Sequence, residues 1–365
     1  MNGSQCMHDR STRRGAETPG TQSAVMTSAV DRNVEPRGER HRIDTRLGAE
    51  TWAMVLAGGE GVRLRPLTEY VCGDSRPKQF ARLLGSHSLL GQTLERTALG
   101  ISWTRTLVVA QRHHAGYLAE EFAGHAAPPM LLQPEDRGTG AAVLLAARWI
   151  ASQQPDAIVA VFPSDHFIRN AAAFMHHVLA MADHVRRHAG PLVLLGALPT
   201  GPQSQYGWIQ LGAPLGCVGG ELLNRVAGFA EKPTPEAARV ACARGDLWST
   251  FVLVGHAQTL LGLGWQAAPL VSQRLAEIRW TATPEVDRAA IARAYSRIPR
   301  LDFSREILER QPSLLTVSRL PVNIVWSDWG TLDRVVTSLR AAGLAPVWMR
   351  ELDRAGRSTA RPVPD

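Results

Sequence analysis

The chain has 365 residues, 40 basic and 33 acidic side chains for a formal net charge of +7, and 45% apolar against 20% charged residues. This balance fits a globular chain of one large domain or two smaller ones and excludes collagen-like, coiled-coil and wholly disordered readings. Of the 40 cations only Lys78 and Lys232 are lysines, so arginine carries nearly all the positive charge.

Residues 1–50 are polar, with eight arginines against seven acids and little hydrophobic periodicity, and are expected to form a disordered tail. Short apolar runs then alternate with helical patterns. Trp52–Ala57, Thr106–Ala110, Met130–Gln133, Ile158–Phe162 and Leu192–Ala197 read as buried strands, and Leu89–Leu99, Gly138–Ser152 and Ala171–Arg187 as helices. The pattern predicts an α/β, Rossmann-like, doubly wound sheet covered on both faces. After Pro199 come spaced strands at Tyr206–Leu211 and Leu223–Phe229, the helix Pro235–Arg244 and the strand Phe251–Val254. A helical region from Ala257 to about Arg297 precedes strands at Leu314–Val317 and Val322–Trp326, and a helix at Leu332–Ala341. The expected division is a domain over 51–348, with a nucleotide-binding half at about 51–200, a second lobe over 201–348, and a frayed tail over 349–365.

Cys6, Cys72, Cys217 and Cys242 lie far apart, without zinc-ligand spacing, which suggests a reducing compartment. No stretch approaches 18 continuous apolar residues, and the basic N-terminus leads into no apolar signal core, so a cytoplasmic location is expected. The arginines are dispersed, without a basic stripe, which argues against nucleic acid and membrane partners. The paired histidines His113-His114 and His176-His177 fall on helical patterns and are expected to face solvent.

The strongest motif is LAGGEGVRLRPLT, Leu56 to Thr68, followed by SRPKQF, Ser75 to Phe80. The turn through Gly58, Gly59 and Gly61 leaves backbone N–H groups available to phosphate oxygens, and Arg63 and Lys78 add charge. Neither a Walker loop nor a dinucleotide fingerprint fits, because no GxxxxGK[ST] is present and Arg63-Leu64-Arg65-Pro66 follows the glycines. Asp165 closes the run IVAVF at the carboxyl end of a strand, where a carboxylate can hold a metal or cap the next helix. Asp328, in WSDWGT, can likewise serve as a ligand or as a turn or N-cap residue. Arg137-Gly138-Thr139-Gly140 opens a helix whose amides can meet a nucleotide.

In order along the chain, GGEGVRLRPLT, RPKQF, FPSDHFI, FAEKP, LWSTFVLVG and WSDWGT resemble the signatures of the sugar-phosphate nucleotidyltransferases, over roughly residues 52–340. Within that family they are similar to the mannose-1-phosphate guanylyltransferase (GDP-mannose pyrophosphorylase) branch. Without a β-helix or cupin extension, the resemblance is to the short, single-activity form. It implies a mixed, mainly parallel sheet of the nucleotide-diphospho-sugar transferase type with a sugar-binding lobe. It implies Mg²⁺ on Asp165 and Asp328, catalysis with Arg63 and Lys78, and nucleotide contacts from Leu56, Ala57, Gly58, Gly59, Gly61, Arg63, Gln133, Gly138 and Thr139, with Glu135 beside them. The sugar phosphate would meet Tyr206, Gly207, Glu231, Lys232, Ser249 and Thr250. Two departures stand out: Val62 replaces a family Thr or Ser, and Ser249 replaces the Asn of LWN[ST].

The implied reaction moves a nucleotidyl group from GTP to α-D-mannose 1-phosphate. UTP or dTTP with glucose 1-phosphate is one alternative, and a catalytically weak nucleotide-sugar-binding regulatory protein is another. The expected partners are the two small-molecule substrates, with a homodimer possible.

Overall fold

The computed structural model describes residues 50–281 and 283–359; of the tail expected over residues 1–50, all but the last residue lies outside the described residues. The strands are β1 (Thr51–Ala57), β2 (Thr106–Gln111), β3 (Met130–Gln133), β4 (Ile158–Pro163), β5 (Phe167–Arg169), β6 (Leu192–Ala197), β7 (Gly207–Val218), β8 (Glu221–Glu231), β9 (Leu247–His256), β10 (Leu315–Arg319) and β11 (Val325–Ser327). Nine of them form one sheet in the order β3-β2-β1-β4-β9-β6-β10-β8-β7, with β7 also pairing β9. The strands β1–β4, β6, β7 and β10 share one direction, and β8 and β9 run against it. This is the mixed, mainly parallel α/β sheet expected.

The central strands are continuous apolar runs because both faces are covered. Trp52, Met54, Val159 and Val161 point into a core shared with the helix Gly138–Gln153 and the helices Ala257–Ala267 and Pro269–Ala276. Ala53, Ala160 and Phe162 point the other way, onto the helix Ala171–Arg187. Alanines at 141, 142, 146 and 147 let the Gly138–Gln153 helix lie close to the sheet. Asn170, in the left-handed region at φ 67°, caps the Ala171–Arg187 helix by accepting from the Ala173 N–H at 3.2 Å. No helix among the described residues is long and apolar enough to cross a membrane.

One expectation is refined and two are corrected. The region 257–297 is three helices, Ala257–Ala267, Pro269–Ala276 and Pro284–Tyr295, because Pro269 and Pro284 each start a new one. Of the tail expected to fray over 349–365, residues 349–359 belong to a helix, Val347–Thr359, whose buried Trp348 donates its indole N–H to the Leu83 carbonyl at 2.7 Å, and residues 360–365 lie outside the described residues. Only one member of each histidine pair faces solvent: His114 and His177 are 1% exposed, because successive residues on a helical turn point in different directions.

His177 has a measurable consequence. Its Nε2 lies 3.2 Å from the Ser318 hydroxyl on β10, and burial, aided by His176, pushes its pKa down to about 4. The unfolded chain, with an ordinary value of about 6.5, therefore takes up the proton first. That stability is complete above about pH 6.5 and is lost as pH falls toward 4. The melting temperature should drop on acidification from about pH 7 to 4.5, and His177→Gln should flatten that drop; an unchanged pH profile would exclude His177 as a contributor.

Candidate active site

The glycine turn sits where β1 leaves the sheet. Gly61 is left-handed at φ +59°, and a Cβ there would lie 2.7 Å from the Lys78 backbone nitrogen, so only glycine allows the two loops to touch. A 3₁₀ turn, Val62–Leu64, then leads into the helix Arg65–Cys72. Gln79 ties the second loop to the first by donating its amide to the Ala57 carbonyl at 3.0 Å and the Gly59 carbonyl at 2.7 Å. Lys78, 9% exposed, thereby projects beneath the glycine turn.

A two-stranded sheet explains why Asp165 and Asp328 meet. β5 pairs antiparallel with β11, with Phe167 opposite Ser327 and Ile168 opposite Trp326. Asp165 lies just before one strand and Asp328 just after the other, so the register brings them to the same end. Trp329, fully buried, anchors the second loop by stacking on Phe167 with ring centroids 5.0 Å apart and by donating to the Ser338 hydroxyl at 2.7 Å. Lys78 crosses between the loops: its Nζ is 3.2 Å from Asp165 Oδ2 and donates to the carbonyls of Asp328 at 2.6 Å and Trp329 at 3.3 Å.

Neither aspartate caps a helix. Asn170 caps the helix after Asp165, and Thr331 caps the helix after Asp328. Asp165 is available to a ligand on the pocket side. Asp328 already has a resident cation: Arg334 donates to both carboxylate oxygens at 3.0 and 2.9 Å, and the Tyr206 hydroxyl and Gly330 N–H donate to Oδ1 at 2.9 and 3.1 Å. Arg334 also stacks 4.3 Å above the Tyr206 ring. Burial alone would raise the Asp328 pKa, but His166, Arg334, Lys78 and the Tyr206 hydrogen bond hold it below the usual carboxylate value. His166, whose Nδ1 accepts from the Trp326 indole at 3.3 Å, is driven down to about 4, mainly by burial, and is neutral at pH 7.

These groups line two neighbouring cavities. One, of about 320 Å³, is formed by Gly61, Val62, Arg63, Leu64, Lys78, Asp165, His166 and Asp328 with Trp329 and Gly330. The other, of about 410 Å³, has Leu56, Gly58, Gly59, Gln111, Gln133, Gly138 and Thr139 in its wall, together with Asp136, Phe251 and Arg300. Asp165 and His166 belong to both. Gln111 and Gln133 converge on Gly58, where a Cβ would meet their amide nitrogens at 3.3 and 3.1 Å. Gln133 is fixed by the Tyr295 hydroxyl, which donates to its Oε1 at 3.0 Å, while the buried Gln111 Oε1 has no hydrogen-bond partner. Gln111 thus presents a polar atom whose partner has to come from elsewhere.

The strands β7, β8 and β9 bring other residues together. A Cβ on Gly207 would lie 2.7 Å from Glu231 Oε2 and 3.2 Å from Ser249 Cβ, so these three positions touch. Lys232, with φ +49°, pairs through Nζ with Glu231 Oε1 at 3.1 Å, and its N–H donates to the Tyr206 carbonyl at 3.2 Å. Burial pushes the Glu231 carboxyl above its ordinary value, with Lys232 opposing.

Some sequence-predicted residues hold the site instead of lining it. Thr250 is fully buried where β9 bulges against β6: its hydroxyl donates to the Leu195 carbonyl at 2.6 Å and accepts from the Val252 N–H at 3.2 Å. It replaces ladder bonds that the bulge breaks, and cannot reach a ligand. Phe251, at φ 57°, is turned by the same bulge into the larger cavity. Ala57 is buried, and its carbonyl serves Gln79. The Tyr206 hydroxyl is spent on Asp328. Glu135 pairs with Arg137 at 2.9 Å on the surface and lies outside both cavity linings. The amides opening the Gly138 helix are largely taken as well, Gly138 N–H by Asp136 Oδ1 and Gly140 N–H by the Leu301 carbonyl, both at 2.8 Å. Sequence reasoning missed Gln79, Gln111, Asp136, Arg300 and Arg334. Gln79 sat inside a quoted motif, whereas the other four reach the site through tertiary pairing.

A family model described as "Nucleotidyl transferase" matches residues 52–338. The xanthan biosynthesis protein XanB of Xanthomonas campestris pv. campestris (strain B100) is 29% identical over 282 residues, covering 76% of this chain and 57% of that protein. A mannose-1-phosphate guanylyltransferase of Sinorhizobium fredii is 28% identical over 286 residues, covering 77% of this chain and 53% of that one. The chain therefore spans a little over half the length of these curated relatives. A crystal structure from Thermus thermophilus, described as a mannose-1-phosphate geranyltransferase, superposes with a TM-score of 0.64 at 29% identity, covering 77% of this chain and 76% of that one. With the match extending from β1 through the helix after Asp328, the chain belongs to the nucleotidyl transferase family.

Proposed function

We propose that the protein is an enzyme that transfers a guanylyl group from GTP to α-D-mannose 1-phosphate, giving GDP-mannose and pyrophosphate. The observation that carries this reading is the meeting of Arg63, Lys78, Asp165 and Asp328 around one cavity, which shares Asp165 and His166 with the cavity walled by Gly58, Gly59 and Gln133. A sugar-phosphate oxygen attacks the α-phosphorus, and the bond from that phosphorus to the bridging oxygen of pyrophosphate breaks. The attacking oxygen is already anionic, so no protein base is required, and the chain's work is positioning and charge neutralisation. Arg63 and Lys78 offset the charge that grows on the leaving pyrophosphate. Lys232 holds the sugar phosphate, and Glu231, with Ser249 and Gly207 against it, faces the sugar hydroxyls.

The carboxylates suit a hard divalent ion such as Mg²⁺, which binds through one or two carboxylates plus substrate phosphates. Asp165 fits best, because Lys78 pairs with only its Oδ2, at 3.2 Å, and its Oδ1 has just the His166 ring at 3.9 Å, while both Asp328 oxygens are held by Arg334. Bound there, the ion would neutralise phosphate charge during transfer. The names of the curated relatives support mannose and guanine over other pairs. Because the reaction consumes a nucleoside triphosphate, the cytoplasm is the proposed compartment.

The test is nucleotide-sugar formation with each of GTP, ATP, UTP and dTTP against mannose 1-phosphate and glucose 1-phosphate. GTP with mannose 1-phosphate should give the highest kcat/KM. Turnover confined to UTP or dTTP with glucose 1-phosphate would overturn the guanylyl assignment while leaving the transfer chemistry intact.

A further inference from the structure

The turns that follow β1 and β2 carry a cluster that the transfer chemistry does not use. These strands are parallel neighbours, with Ala57 opposite Ala110, so the residues just beyond their carboxyl ends are brought together. Glu60 leaves β1 in the glycine turn, and His113 and His114 leave β2 in the 3₁₀ turn Arg112–His114. The Glu60 Oε1 lies 2.7 Å from His113 Nε2 and 3.5 Å from His114 Nε2, and one ligand atom from each residue falls within 4.8 Å of the others.

His114 supplies an independent observation. Its side chain is 1% exposed, and its ring nitrogens make only loose contacts, with the Glu60 carboxylate at 3.5 Å and with the Ala57 backbone, in place of well-formed hydrogen bonds. A buried imidazole left this way carries an unmet desolvation cost. Two imidazoles and one carboxylate form a donor set for a transition-metal ion, unlike the all-oxygen shell that Mg²⁺ prefers.

We propose that Glu60, His113 and His114 form a second metal site, for Zn²⁺ or a related transition-metal ion, at the rim of the larger cavity. Three protein ligands leave the fourth position of a tetrahedral ion open to water or to a ligand in the cavity, which Glu60 also lines. The ion would clamp the glycine turn to the end of β2 and neutralise Glu60. This site does not depend on which nucleotide or sugar the protein uses.

The experiment uses the full chain stripped with a chelator and titrated with Zn²⁺ in competition with a chromophoric chelator, in parallel with Co²⁺ read by its visible absorption. One Zn²⁺ per chain is expected, with Co²⁺ bands of a four-coordinate site and a melting temperature that rises with Zn²⁺. His113→Ala, at an exposed position, and Glu60→Gln should each weaken binding by more than about tenfold and abolish the thermal shift. Cys217→Ser, which removes an exposed thiol, should leave binding intact. Absence of stoichiometric uptake would overturn the proposal. So would uptake that both His113→Ala and Glu60→Gln retain, since the ion would then bind elsewhere.

Discussion

Replacing Lys78 by methionine should lower kcat/KM for nucleotidyl transfer about 10²–10³-fold, the usual cost of removing one preorganised donor from a developing negative charge. Lys78 is well placed for such an effect. Its ammonium is nearly buried, lies 3.2 Å from Asp165, and is anchored by the carbonyls of Asp328 and Trp329. The substitution removes charge at the leaving pyrophosphate and also the tie between the two carboxylate loops. Lys78→Arg should recover little of the loss. Three acceptors surround one compact ammonium at 2.6–3.3 Å, an arrangement that a planar guanidinium fork does not match. Steady-state kinetics for both variants decide the point. Wild-type activity in Lys78→Arg would mean that charge alone is needed, and that the scarcity of lysine in this chain carries no meaning at position 78.

Asp165→Asn should cost about 10³-fold in kcat while leaving the fold stable, a loss of several kcal/mol of metal-mediated charge stabilisation at about 1.4 kcal/mol per tenfold. The stability expectation follows from the caps: Asn170, and not Asp165, starts the next helix. The amide keeps the shape of the carboxylate and loses the charge that attracts a cation. Mn²⁺ affinity in the presence of GTP, read by electron paramagnetic resonance, should fall together with kcat. An Asp165→Asn enzyme with unaltered Mn²⁺ affinity and unaltered kcat would remove Asp165 from the metal role. Asp328 stands differently, because Arg334 and Tyr206 hold its carboxylate and give it a structural task even when no metal is present.

The strands β1–β4 and β6 were readable from the sequence because each is a largely apolar run. The bounds of β3 and β6 and of the helices Ala171–Arg187, Pro235–Arg244 and Leu332–Ala341 follow the hydrophobic pattern residue for residue. The small sheet of β5 and β11 was not readable, because strands of three residues leave no periodicity. That sheet is nonetheless what joins Asp165 to Asp328. Thr250 shows the opposite failure: a motif residue that resembles a ligand contact is instead required by a bulge in β9. Arg334 lies six residues beyond Asp328, on the next helix, and only the loop geometry reveals that it holds the carboxylate. His114 looked like half of a solvent-facing pair, and burial turned it into a candidate ligand.

The central claim is that the two glycine- and lysine-bearing loops and the two aspartate loops form one nucleotidyl-transfer centre. Pyrophosphate release by the purified full chain tests it most directly. With Mg²⁺ and GTP, release should require mannose 1-phosphate and match GDP-mannose formed mole for mole. Release from GTP without any sugar phosphate, or binding of GDP-mannose with no release from any nucleotide and sugar-phosphate pair, would contradict it.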